Sequence, residues 1–93
     1  MDALNELEIR ILGTLIEKSL ATPEYYPLTL KSLRAGCNQA TNRIPVTDYE
    51  EIEIEEGVKS LKLKGLVYFV EPKGGSEVRK FEHTLFEEHR WGL

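Results

Sequence analysis

A chain of 93 residues with 41% hydrophobic and 30% charged residues has the composition of one small globular domain, near the lower limit of what a single core supports. Its formal charge of −4 argues against a strong, sequence-blind grip on nucleic acid, and its lone cysteine excludes both an internal disulfide and a Cys-rich zinc site. No apolar run approaches the roughly 20 residues of a membrane span and no signal segment opens the chain, so a cytoplasmic protein with no membrane partner is expected.

The first predicted element is a helix. Asn5 followed by Glu8 has capping-box spacing, with Leu4 and Ile9 at the positions of a hydrophobic staple. Leu7, Ile11, Leu12, Leu15 and Ile16 then form one apolar stripe, and Glu6, Arg10, Glu17 and Lys18 fall largely off it. The helix should fade near Leu20, ahead of Thr22-Pro23. A second, shorter helix is expected from Leu30, with Thr29 as N-cap and Leu30, Leu33 and Cys37 as a narrow seam. Gly36 weakens its last turn, and Asn38 suits a left-handed helix stop.

A third helix follows Pro45. Thr47 and Glu50 have capping-box spacing, and Ile54, Val58 and Leu61 keep one face apolar up to Gly65. "EIEIEE" also alternates like a strand, so the start of this helix is less defined than its end. The charge here is uneven: Asp48, Glu50, Glu51, Glu53, Glu55 and Glu56 crowd one segment, and Lys59, Lys62, Lys64, Lys73, Arg79 and Lys80 follow it. "LVYFVEP" and "EVRKFEHTL", joined by "KGGS", read as a β-hairpin that must lie against the helices, since a lone hairpin is marginal in water. Three helices plus a packed hairpin define an α+β, mostly helical, winged helix-turn-helix domain over residues 1–85. Residues 86–93 form a C-terminal tail or the start of a linker.

Several motifs sharpen this. "TPEYYPLTL", "CNQ", "TNR" followed by Pro-Val, and "KFEH" together resemble the YceH-like family of uncharacterised bacterial proteins. The resemblance implies the first of two tandem winged-helix domains, grouped with transcription regulators by fold alone. Two positions differ from the family pattern as Ala40 and Glu77, and both remove positive charge.

Lys31, Arg34, Asn38, Gln39, Asn42, Arg43, Lys73, Arg79 and Lys80 are the candidate nucleic-acid contacts, on the second helix, the following loop and the wing. Asn38, Gln39, Thr41, Asn42 and Arg43 have an alternative reading as a scaffold that satisfies open carbonyls at a helix end. The acidic run is either a solvated helix start or a face for a basic protein partner.

No catalytic residue, metal site or cofactor is expected. His83 and His89 with Glu82, Glu87 and Glu88 fit no standard ligand spacing, Cys37 belongs to a packed seam, and "KGGS" does not precede a helix. The expected function is therefore a transcription-regulator-like module with weak binding to double-stranded DNA. The alternative is a protein-interaction winged helix that uses its acidic third helix and binds no DNA. A homodimer that covers Trp91 of the tail is a further expectation.

Overall fold

Residues 3–41, 43–71 and 79–85 are described from a computed structural model of the chain. The elements run α1 (Glu6–Ala21), a 3₁₀ turn (Pro23–Tyr25), β1 (Leu28–Thr29), α2 (Leu30–Asn38), α3 (Glu51–Leu63), β2 (Val67–Val70) and β3 (Lys80–His83). The strands form one antiparallel sheet in the order β1-β3-β2, with Leu28 opposite Phe81 and Phe69 also opposite Phe81. Three helices on a small antiparallel sheet make a winged-helix-like α+β fold. None of the described helices is long and apolar enough to cross a membrane.

The start of α1 forms as its sequence dictates. The Glu8 amide donates to Asn5 Oδ1 at 2.8 Å, and the Asn5 amide donates to Glu8 Oε1 at 2.9 Å. Leu4 packs at the edge of the core, but Ile9, its expected staple partner, is 57% exposed. β1 pairs only two residues, too short to leave an alternation in the sequence. The turn of the expected hairpin and the tail with Trp91 fall on residues outside those described.

α3 begins later than its sequence suggests. Its N-cap is Glu50, whose amide donates to Glu53 Oε1 at 2.9 Å. Thr47 does not cap it, because that side chain sits between α1 and the end of α2. At the other end Gly65 has φ +78, a conformation that favours glycine. The Leu66 amide reaches Leu61 O and the Gly65 amide reaches Lys62 O, each at 3.0 Å, which closes the helix in a Schellman motif.

The core is Ile11, Leu12 and Leu15 of α1, Leu33 and Cys37 of α2, and Ile54, Val58 and Leu61 of α3, closed below by Leu28, Leu66, Val67 and Phe81. Close helix contacts rest on missing side chains. A Cβ at Gly36 would lie 2.8 Å from Thr14 Cγ2, so α2 approaches α1 to a distance alanine would prevent. Gly36 is therefore a packing residue rather than a weak last turn. At Gly57 a Cβ would meet the far ends of the Ile11 and Leu7 side chains of α1.

One carboxylate lies within this core. Glu8 is 1% exposed, accepts from Ser60 Oγ at 2.6 Å and from Lys64 Nζ at 2.9 Å, and so ties α1 to α3. The Ser60 hydrogen bond foremost, then the Asn5 amide and Lys64, outweigh the effect of burial and hold its pKa at about 2. A folded-state pKa below the usual 4.5 means that protons favour the unfolded chain. The stabilisation is complete above about pH 4.5 and is lost as pH falls from there toward 2. Glu17, also depressed by its bond to Arg43, acts in the same sense. Denaturant midpoints should thus drop steeply across this window. In Glu8→Gln the neutral-pH midpoint should be lower and its acid dependence shallower. An unchanged acid dependence would contradict the assignment.

Candidate interaction surface

The connection 39–50 carries most of the sequence cluster singled out above, and it is built on two arginines. Arg10 of α1 donates through Nη1 to Cys37 O at 2.9 Å and through Nη2 to Pro45 O at 2.7 Å. Arg43 returns from the loop to the helices. Its Nε donates to Gly36 O at 3.1 Å, and Nη1 and Nη2 grip Glu17 Oε2 and Oε1 at 3.2 and 2.7 Å. The Arg43 side chain is only 8% exposed, while its partner Glu17 is 35% exposed, so the bidentate pair is buried on the arginine side alone.

Asn38 does not stop α2 by turning left-handed; it is the last helical residue, and its amide acts as a clamp. Its Oδ1 accepts the Tyr49 amide and its Nδ2 donates to Tyr49 O, both at 2.9 Å. Thr47 Oγ1 lies 3.1 Å from Cys37 O and 3.0 Å from Asn38 Oδ1, and its single proton serves one of them at a time. Arg34 Nε adds a second donor to Tyr49 O at 2.8 Å. Gln39 accepts from Lys18 Nζ and donates to Thr41 O. Of the loop candidates for nucleic-acid contact, Asn38, Gln39 and Arg43 are thus engaged inside the domain. Asn42 and Lys73 lie outside the described residues.

The remaining basic candidates other than Lys80 lie around two neighbouring hollows, with Lys31 on both. Lys31 and Arg79 flank a groove of about 490 Å³ between α2, α3 and the sheet, floored by Leu30, Val58, Phe69 and Phe81. Lys59 is the third cation on its rim, paired with Glu55 at 4.0 Å. Arg79 leans on the Phe69 ring at 5.3 Å and pairs with Glu71 at 3.5 Å. Arg34 and Lys31 also border a separate, polar hollow that includes Asp48 and Glu51. Lys80 is exposed, on the strand β3.

The outer face of α3 is acidic at its start. Glu51, Glu53 and Glu56 are exposed, Glu50 precedes them, and Ile52 is 59% exposed among them. Basic residues appear only from Lys59 onward. Sequence reasoning located this run but did not foresee Arg10, which it placed off the apolar stripe without a role. No local signal marks it, because its acceptors lie 27 and 35 residues along the chain.

A further polar pair joins α1 to the strand β3. His83 Nε2 lies 3.1 Å from Ser19 Oγ, but the Leu85 amide donates to His83 Nδ1 at 3.2 Å, so the ring proton is on Nε2. Ser19 Oγ then accepts from the ring and donates to Ile16 O at 2.7 Å. A general base would need the opposite arrangement. Burial also lowers the His83 pKa, and it raises that of the Cys37 thiol, which is fully enclosed. Among the described residues no group of three or more His, Cys, Asp or Glu side chains could hold a metal ion.

A family described as "Protein of unknown function, DUF480" matches residues 4–92. The chain belongs to this family. It is 52% identical over 87 residues to a UPF0502 protein of Geotalea uraniireducens, covering 94% of the chain and 39% of that relative. A UPF0502 protein of Dechloromonas aromatica is 52% identical over 85 residues, covering 91% and 38%. One from Opitutus terrae is 44% identical over 92 residues, covering 99% and 40%. These bacterial relatives agree with the resemblance carried by "CNQ", "TNR" and "KFEH". The chain spans about two-fifths of the length of the curated relatives it matches.

The scaffold assignment predicts which arginines and lysines matter for folding. Arg43→Ala and Arg10→Ala should each lower stability by about 1–3 kcal/mol, because each leaves carbonyls or a carboxylate without its donor. Lys31→Ala, at an exposed position, should stay within about 0.5 kcal/mol of the parent. Urea midpoints of the three variants decide the matter; equal midpoints would remove the scaffold role.

Proposed function

We propose that this domain is a winged helix used for protein contact, with the outward face of α3 as its contact surface. In DNA-binding winged helices the corresponding helix enters the major groove, where its first turns meet base edges between two rows of phosphates. The observation that carries the reading is the composition of those turns here. Glu51, Glu53 and Glu56 are exposed there, and the nearest basic residue on the helix is Lys59. Carboxylates at that depth repel phosphates, and the exposed Ile52 among them gains from an apolar partner that a phosphate backbone does not supply. The loop supports the same reading, since its amides and Arg43 hold the fold together rather than face outward.

The cations Lys31, Lys59 and Arg79 around the groove favour a second reading, in which the domain touches the DNA backbone without reading bases. Anisotropy of a labelled mixed-sequence duplex, titrated at low salt, separates the two. The protein-contact reading expects no saturable binding by the parent chain and a clear gain in the variant Glu51→Lys/Glu53→Lys/Glu56→Lys. Parent binding that weakens steeply with salt and disappears in Lys31→Ala/Arg79→Ala would instead establish the backbone-contact reading.

A further inference from the structure

The solvent face of α3 carries an order of side chains that is complementary to itself. Ile54, Val58 and Leu61 are fully buried, and at about 100° per residue the positions diametrically opposite are Ile52, Glu56, Lys59 and Leu63. All four are exposed, Ile52 to 59% and Leu63 to 90%. From the N-terminus the stripe therefore reads apolar, acidic, basic, apolar, over a length of roughly 16 Å at 1.5 Å per residue. Reversed end for end it reads apolar, basic, acidic, apolar.

We propose that this stripe docks on the same stripe of a second copy of the chain, with the two α3 helices antiparallel about a twofold axis between Glu56 and Lys59. Ile52 of each copy then meets Leu63 of the other, and Glu56 meets Lys59 twice by symmetry. An interface between identical patches requires each contact to recur in reverse, and this sequence of four residues satisfies that condition. Other occupants match only half of the stripe. DNA is opposed by the glutamate half of the same helix, and a basic protein by its lysine half.

The proposal rests on the reading of α3 as a protein-contact face and adds the identity of the partner. One helix face falls well below the roughly 800 Å² that each partner gives to a standard interface. The dimer is accordingly weak and concentration-dependent, and its charge pairs make it salt-sensitive.

Sedimentation equilibrium of the full chain, from about 10 µM to about 1 mM, tests this. The parent should self-associate reversibly. Glu56→Lys and Lys59→Glu should each weaken association at least about tenfold, because both central pairs become like-charged. The double variant Glu56→Lys/Lys59→Glu should recover it, and an equimolar mixture of the two single variants should associate where each alone does not. These positions are exposed, so all variants should keep the parent melting curve. A parent that stays monomeric throughout, or a dimer indifferent to the charge swaps, overturns the proposal. If the parent is monomeric and also binds no duplex DNA, the protein-contact reading survives without this partner. Duplex binding that Lys59→Glu abolishes overturns both.

Discussion

Between α2 and α3 none of the described residues of the connection lies in a helix or strand, and the hydrogen bonds of Arg10 and Arg43 hold its course. Most of this connection is exposed and its carbonyls are open to water, so its course is set by the few groups that side chains hold. Arg10 supplies donors from α1 to the end of α2 and to Pro45, and Arg43 supplies them from the loop to Gly36 and Glu17. The planar, always-charged guanidinium suits this, since one group serves several acceptors in fixed directions. Asn38 then fixes Tyr49 just ahead of α3, so the position at which α3 begins follows from these contacts.

That starting position has consequences for function. With Glu50 as N-cap, Ile54, Val58 and Leu61 turn inward and Ile52, Glu56, Lys59 and Leu63 turn outward. Beginning the helix elsewhere would not alter the spacing, but a different entry angle would alter how the acidic turns stand relative to the sheet. Glu8 fixes the same helix from the opposite side through Ser60 and Lys64. The face of α3 is therefore presented by a frame with polar anchors to α1 and α2.

Much of the fold was legible in the residues, and the exceptions share a cause. Helix periods, the Asn5–Glu8 cap, the Thr29 cap and the Gly65 stop are local signals, and each appears in the structure where the sequence puts it. Thr47 looked like a cap because its spacing to Glu50 is right, but tertiary contacts with Cys37, Asn38 and Arg10 claim its hydroxyl. Glu8 was legible only as the partner of the Asn5 cap; it stands one turn from Leu12 on the apolar stripe, and it is buried there. Gly36 looked like a flaw in a helix because the approach of Thr14 is invisible to local reasoning. In the candidate site, the amides and Arg43 carried two readings in sequence that only their partners could separate. The charge order of α3 was visible from the start, but its meaning depended on knowing which side faced out.

Native-state hydrogen exchange of the Tyr49 amide tests the central claim, that the polar connection is a scaffold which sets α3. In the parent this amide should exchange far more slowly than an unstructured peptide, because it donates to Asn38 Oδ1. In Asn38→Ala it should lose that protection, while core amides such as Leu61 exchange only as much faster as the fall in global stability requires. A Tyr49 amide that exchanges freely in the parent would contradict the account.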